Sequence, residues 1–373
     1  MAVLIFSMPG DLHTAAVEWA LQKKGIEVEK IFLSDFPQRG TISCTNAAGE
    51  IRFNLGPRAI RYDEYDTIWF RRISSAVPSP SLVPGDLTAA KRGWSELSRY
   101  LIEFPRQKDS FCLNPPESFG LRDNKVHQLN LAQQCGLTIP PTLISTRQED
   151  LAEFILENSR EGHQTIAKPL VRTLWNRNDG TSVMLTISVV NIDDLAEADV
   201  SSEPLIFQRR IEKAFEVRLT VMGCTMFAVK LDSQSDPKTQ LDFRDAPDWR
   251  VLGHESIPVP SHVRAGVERL CDELVTPFGT MDFIVTPQGD WVFLETNTMG
   301  NFLWMEDCNP ELPLLDCFAE LLISKDRRFV YGANVELPKV RFREFKDDSR
   351  HMKKLDEEYE NHVEYVPQFA VNE

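Results

Sequence analysis

Two carboxylates that face each other across one β-hairpin constrain this chain more than any other feature of its sequence. Met281 to Asn297 reads MDFIVTPQGDWVFLETN, two apolar runs around PQGD, which is strong turn chemistry. With Gln288 and Gly289 as the central turn residues, antiparallel pairing sets Asp282 opposite Glu295. Side chains alternate with period two, so Asp282, Glu295 and Asn297 share one face with Ile284 and Phe293. Opposed like charges on a mostly apolar hairpin are destabilising unless a cation sits between them. Two carboxylates and an amide form an oxygen-only donor set that suits a hard cation such as Mg²⁺. That ion takes its remaining ligands from water and substrate phosphates. An acidic, solvated outer face is the alternative for the hairpin taken alone.

The rest of the chain reads as an ordinary globular protein. At 373 residues, 42% hydrophobic and 26% charged, it suits two or three packed domains. A net charge of −15 argues against nucleic acid as the main partner. Seven scattered cysteines with no CxxC pair read as free thiols of a reducing compartment. The start MAVLIFSMPGD lacks a basic n-region, and no stretch approaches the ~18 apolar residues of a membrane span. The expectation is a cytoplasmic protein without a membrane partner.

Ala2 to Phe6, a helical spacing from Leu12 and a second run from Val28 to Leu33 give a β-α-β opening, as in a small doubly wound domain. Tyr65 to Phe70 reads as a further strand, followed by Arg71-Arg72, and Ala89 to Glu103 as a helix. Phe111 to Pro116 closes this part. A helix from about Arg122 to Cys135 follows, then a strand Thr165 to Leu170 carrying Lys168. The polar stretch Arg172 to Thr181 reads as a mobile loop, and strands and hairpins dominate from Leu205. Beyond Arg328 the chain turns charged, with a solvated helix over KDDSRHMKKLDEEYE. The boundaries this predicts are 1–115, 116–203, 204–330 and a charged extension 331–373.

A magnesium–phosphate site needs cations to hold the phosphates and offset charge during transfer, and Lys125 and Lys168 are the candidates. Glu216 and Arg218 lie two apart on one strand face, opposite Val217 and Leu219, before a hairpin at Gly223-Cys224. A plain cross-strand ion pair is the alternative for them. GxxxxGK[ST] and a strand-following GxGxxG are both lacking, which disfavours those nucleotide folds.

Taken in order, these pieces resemble a known superfamily. The chain presents Asn124-Lys125 before a helix, GLxxPxT from Gly136, AKP around Lys168, FQxxI from Phe207, ExR at Glu216 and Arg218, MDF from Met281 and LETN to Asn297. That order resembles the ATP-grasp ligases over roughly residues 110 to 325. The resemblance implies an α/β and α+β architecture. It would comprise a doubly wound N-terminal domain, a central lobe and a C-terminal antiparallel-sheet lobe, with ATP between the lobes. It implies that Lys125 and Lys168 contact phosphates, that Gln208 and the backbone of Arg209, Arg210 and Ile211 hold adenine, and that Glu216 meets the ribose. Arg218 would meet phosphate or acyl phosphate, and Asp282, Glu295 and Asn297 the magnesium.

A narrower resemblance is to the graspetide (microviridin-type) macrocyclases, through YDTIWFRR, SDFP, IEKAFEVRLTV, KLDSQ and LDFR. It implies a homodimer acting on a precursor peptide with a leader and a core of Thr/Ser and Asp/Glu. In that reading Arg244 pairs with a core carboxylate and Asp242 orients it; a mere loop brace is the alternative. After Glu295 the sequence departs from the family pattern, with TNTMGNFLW and Asn301 where glutamine is usual. No histidine motif supplies a general base. Two other functions stand beside this one: a ligase joining an amino acid or amine to a small carboxylate, and a catalytically silent binding module.

Overall fold

The computed structural model describes residues 1–45, 50–107, 110–118, 123–171, 174–176, 181–184, 186–197, 200, 204–332, 337–363 and 370–372. Its first part follows the β-α-β expectation. Strand β1 (Ala2–Ser7) leads through α1 (Leu12–Lys23) to β2 (Glu27–Phe32). The Asp11 side chain caps α1 by accepting from the Thr14 N–H at 2.9 Å, and Gly25, at φ +77°, ends the turn beyond it. An antiparallel meander, β3 (Thr41–Thr45), β4 (Glu50–Leu55) and β5 (Arg58–Arg61), was not anticipated from the sequence. Then come β6 (Thr67–Phe70), α2 (Pro84–Glu103) and β7 (Phe111–Leu113).

The parallel sheet runs β2-β1-β6-β7, so the strand order switches direction between β1 and β6. One face, with Val3, Ile5 and Trp69, packs on α1 and on a later helix. The other, with Leu4, Phe6, Ile68 and Phe70, packs on the meander and α2. Continuous apolar strands such as VLIF have this double burial as their cause.

The central part holds α3 (Lys125–Gln134), β8 (Thr142–Ser145), α4 (Gln148–Arg160) and β9 (Thr165–Pro169). It continues with β10 (Leu174–Asn176), β11 (Ser182–Met184), β12 (Ser188–Val190), α5 (Ile192–Glu197) and β13 (Leu205–Arg209). The expected loop Arg172 to Thr181 lies largely outside the described residues; within it Leu174–Asn176 is a strand. Strand β13, expected to open the C-terminal lobe, instead pairs antiparallel with β8 and β9 in the sheet β12-β9-β13-β8. Its run LIFQR carries no mark of which sheet it joins.

The C-terminal sheet runs β16-β15-β14-β17-β18. Its members are β14 (Phe215–Met222), β15 (Thr225–Leu231), β16 (Glu255–Ile257), β17 (Phe278–Val285) and β18 (Trp291–Asn297). Helix α6 (Ser261–Glu273) joins α3 on one face of it, over Val217, Leu219, Met281 and Phe283. Helices α7 (Leu303–Cys308) and α8 (Leu314–Ser324) follow, and Phe318 of α8 meets Trp69 of β6 with ring centroids 4.8 Å apart.

The charged tail is not simply solvated. It forms α9 (Phe342–Asp347) and α10 (Ser349–Asn361), with Phe342, Phe345 and Leu355 buried in the core shared with α1. Phe345 meets Trp19 edge-on at 6.0 Å, and Lys354 pairs with Glu18 at 2.7 Å. An amphipathic period hidden under many charges explains the difference. A last strand, β19 (Ala370–Asn372), runs parallel to β10. All seven cysteines are free thiols, as expected. Among the described residues no helix is long and apolar enough to cross a membrane.

Candidate active site in the cleft above the C-terminal sheet

The expected pairing of Asp282 with Glu295 is observed, by a different route. Thr286 N–H donates to Asp290 O (3.0 Å) and Gly289 N–H to Thr286 O (2.9 Å), with Gly289 at φ +91°. The turn is therefore the three residues Pro287, Gln288 and Gly289 rather than a two-residue turn on Gln288-Gly289. This sets Phe283 opposite Phe293 and Ile284 opposite Val292. A bulge then inserts Leu294 as an extra residue and returns Asp282 to Glu295, Met281 to Thr296 and Thr280 to Asn297. The two irregularities cancel at the trio. They do not cancel at Phe293, expected beside Asp282: it packs in the core beneath α3 and α6, 5.5 Å from the Phe283 ring, whereas Ile284 does line the cleft.

Strand β14 behaves as its period predicts. Val217 and Leu219 are core, while Glu216 and Arg218 face the cleft side, Arg218 in register with Asp282. Arg218 Nη1 lies 2.6 Å from Asp282 Oδ1 in a pair whose side chains are 10% and 7% exposed. This is the cross-strand ion pair, here buried inside the site. Arg218 Nε is buried with no hydrogen-bond partner, so the guanidinium keeps an unused donor for an anion.

Cations converge on Glu295 from three elements. Lys125, first residue of α3, sits 3.6 Å from Oε2, and Arg244 Nη1 3.5 Å from Oε1. Lys168 on β9 lines the same cleft. Burial raises the Glu295 pKa, but Lys125, Arg244, Lys168 and Arg218 outweigh it and hold this carboxylate below the ordinary glutamate range. Burial pushes Asp282 the other way, with Glu295 adding repulsion against the pull of Arg218. The two facing carboxylates thus shift in opposite directions from their ordinary ranges. Asp242 accepts from the Arg244 backbone N–H at 3.0 Å and from its Nε at 2.7 and 3.0 Å, contacts that serve a loop brace as well as an oriented guanidinium. No cluster of three or more His, Cys, Asp or Glu suited to a metal occurs among the described residues. Asp282 and Glu295 bring two carboxylates to this cleft, whereas Asn297, paired with Thr280, lines the adjoining trough; oxygen donors of this kind suit a hard cation.

Gln208, Arg210 and Ile211 line the cleft, and Gln208 Nε2 donates to Thr142 Oγ1 (2.8 Å). The Arg209 side chain turns away to Asn158 and Glu161. The Arg209 and Arg210 N–H groups already donate to Pro141 O (3.0 Å) and Gln164 O (2.8 Å). Glu216 also lines the cleft, paired with Lys213 at 2.9 Å, and burial raises its pKa. Gln128 was missed by sequence reasoning. One turn beyond Lys125 on α3, its amide donates to Thr296 O and accepts from Thr296 N–H, both 2.8 Å. It saturates the outer edge of β18 between Glu295 and Asn297 and so locks Lys125 to the trio. The i, i+3 spacing from Lys125 was the available signal.

No protein-family model matches the chain, and no curated protein matches it. Solved structures do. A RiPP-associated ATP-grasp ligase of Chryseobacterium gregarium, in complex with ADP and a leader and core peptide, superposes with a TM-score of 0.79. It is 24% identical over 88% of this chain and 99% of that one. This chain has the ATP-grasp fold. The macrocyclase MdnC of Microcystis aeruginosa MRC, bound with precursor peptide MdnA, matches at 0.76 and 23% identity over 87% and 100% of the two chains. The ATP-grasp ligase PsnB, complexed with a phosphomimetic variant of its minimal precursor, Mg and ADP, matches at 0.66 and 20% over 87% and 98%.

On this ATP-grasp fold the loop after β18 is held by the N-terminal part of the chain. Arg71, at the end of β6, is buried and donates to Met299 O and Asn301 Oδ1, and Arg72 reaches Asn301 Oδ1 at 3.2 Å. His13 Nε2 accepts from the Phe302 N–H at 3.0 Å; burial lowers its pKa to about 3, which keeps it neutral for that role. Asn301, where glutamine was expected, thus receives both arginines. A Cβ at Gly300 would overlap Thr280 Oγ1 and lie 2.8 Å from Thr280 Cβ, atoms fixed on β17. Gly300→Ala should therefore cost about 2 kcal/mol in urea unfolding. A cost near zero would mean that the loop does not pack against Thr280.

Proposed function

We propose that this chain is an ATP- and magnesium-dependent ligase that activates a side-chain carboxylate of a ribosomally made precursor peptide and closes ω-ester or ω-amide rings. The observation that carries the reading is the cleft itself. Lys125, Lys168, Arg218 and Arg244 surround a facing pair, Asp282 and Glu295, one of which is held ionised. Cations around paired acids suit a metal-bound polyphosphate, since neither set alone is electrically balanced there.

Asp282, Glu295 and Asn297 would hold magnesium, which when bound neutralises the β- and γ-phosphates and polarises the γ-phosphorus. Lys125 and Lys168 bind the phosphates from the central side, and the Gln208–Ile211 segment and Glu216 hold the nucleoside. A carboxylate oxygen of the peptide, positioned by Arg244, attacks the γ-phosphorus. The bridging P–O bond breaks with its electrons going to ADP, and an acyl phosphate forms. A Ser/Thr hydroxyl or Lys amine of the same peptide then attacks the acyl carbon; phosphate leaves and the nucleophile's proton passes to solvent. Arg218, with its unused Nε, meets the charge that develops on the acyl phosphate. His13 is not the base, because its Nε2 is committed to backbone N–H groups.

The trough that continues from Arg218 and Asn297 past Trp304 has a cavity volume of about 1090 Å³, which favours a peptide over a single amino acid. Incubation with ATP, Mg²⁺ and a peptide bearing Glu with Ser, Thr or Lys should remove one water mass per ring. A mass gain upon added amine would point to the small-carboxylate ligase instead. No ADP with any peptide or amine would point to a silent binding module.

Burial lowers the Lys168 pKa to about 8, with Lys125 and Arg244 adding repulsion against the pull of Glu295. Above pH 8 the free protein therefore lacks this proton, and its stability gains a term that rises with pH up to the unfolded lysine range near ~10.4. Nucleotide phosphates restore the ammonium. ADP binding near pH 8.5 should take up protons, read by calorimetry in buffers of different ionisation enthalpy, and Lys168→Met should abolish that uptake. Equal uptake in the variant would exclude Lys168 as the phosphate ligand.

A further inference from the structure

The trough has an aromatic ledge that the phosphate chemistry does not use. Trp249, 45% exposed, and Val251, 58% exposed, sit on the short turn Trp249–Leu252 shortly after Arg244. Asp248 caps that turn by accepting from the Arg250 N–H at 3.0 Å. The Trp249 ring lies 5.2 Å from that of Trp304, with planes at 37°. Trp304 is itself fixed: its Nε1–H donates to Asn301 O at 3.1 Å, and the His254 ring meets it edge-on at 5.5 Å. Both tryptophans line the trough together with Arg218, Arg244 and Asn297. A tryptophan held half out of the protein beside a polar site is a surface prepared for contact.

Charge says what the contact is with. The trough carries Arg72, Arg218, Arg244 and Lys346 against Asp123 and Asp307, in a chain of net charge −15. Lys346 is engaged by Asp307, Arg218 by Asp282 and Arg244 by Asp242 and Glu295, whereas Arg72 stays 44% exposed and shares the single acid Asp11 with Arg71, which leaves it as the cation the trough presents. An acidic chain is the complement of that lining.

We infer that Trp249 and Trp304 form a stacking subsite for an aromatic side chain of the acidic peptide that lies in the trough, which makes Trp249 a specificity-determining residue. This rests on the ligase reading above, because that reading puts the peptide there. The test uses capped hexapeptides of glutamate and threonine, each with one phenylalanine at a successive position, and an alanine control. Binding to the full chain with ADP and Mg²⁺ is followed by tryptophan fluorescence and calorimetry.

One phenylalanine position should bind about tenfold tighter than alanine to the wild-type protein. Trp249→Ala should cut that ratio to about twofold or less, while Trp249→Phe keeps most of it. An unchanged thermal midpoint checks that the variants fold. The inference is overturned if no position prefers phenylalanine, or if Trp249→Ala keeps the preference. It is also overturned if the substitution alters only self-association in sedimentation. Release of ADP with the same peptides is measured separately. Phenylalanine-dependent binding without ADP release would sink the ligase reading and leave the stacking subsite standing.

Discussion

Glu295→Gln should lower ADP release by on the order of 1000-fold while the protein still folds. The substitution keeps the shape of the side chain and removes the negative charge that faces Asp282 and is met by Lys125 and Arg244. Without that charge the metal loses a ligand, and three cations lose the acid that offsets them. Stability should fall too, with a defined pH dependence. The Glu295 pKa is depressed, so its charge stabilises the fold above the unfolded glutamate pKa near ~4.3 and loses that effect as pH drops toward the folded value. The stability gap between wild type and variant should therefore close on acidification through that window. A variant with wild-type turnover would remove Glu295 from the site. A gap that widens in acid would contradict its assignment as the ionised partner.

Arg218→Met carries the second large effect. Arg218 is the 2.6 Å partner of Asp282, and both side chains are nearly buried. Removing one member of such a pair leaves the other as an uncompensated charge, at a cost of about 3 kcal/mol. Asp282 already titrates above the ordinary aspartate range, through burial and then Glu295, and loss of Arg218 raises it further. A raised carboxylate favours the fold below its unfolded pKa, and that advantage is lost as pH rises through its folded pKa. Urea unfolding should accordingly find the variant more impaired at pH 8 than at pH 5. Added Mg²⁺ and ADP should recover part of the loss, because the metal then offsets Asp282. Equal destabilisation at both pH values, with no recovery, would make the pair a plain structural bridge.

Local patterns in the sequence carried much of this site. Period-two alternation placed Glu216 with Arg218 and Asp282 with Asn297, because a strand with one buried face leaves its side chains little choice. The same rule misplaced Phe293, since a bulge at Leu294 changes the count without changing composition. Asn124-Lys125 was readable as a helix start, and Asn124 does cap α3, accepting from the His127 N–H at 3.0 Å. What could not be read are the long-range partners. Arg71 reaches Asn301 across 230 residues of sequence, and Gln128 reads the edge of β18 from a helix far upstream. Nothing near either residue announces those contacts. Strand β13 and the docked face of α10 belong to the same class, in which the local period names the element and only tertiary packing names its neighbour.

Asp282, Glu295 and Asn297 are proposed to hold the metal of a nucleotide whose phosphates lie against Lys125 and Lys168. Anomalous diffraction from crystals grown with Mn²⁺ and a non-hydrolysable ATP analogue tests it most directly. A manganese peak is expected within coordination distance of carboxylate oxygens of Asp282 and Glu295, next to the nucleotide's phosphates. A peak elsewhere, or a nucleotide bound with no metal at the hairpin, would contradict it.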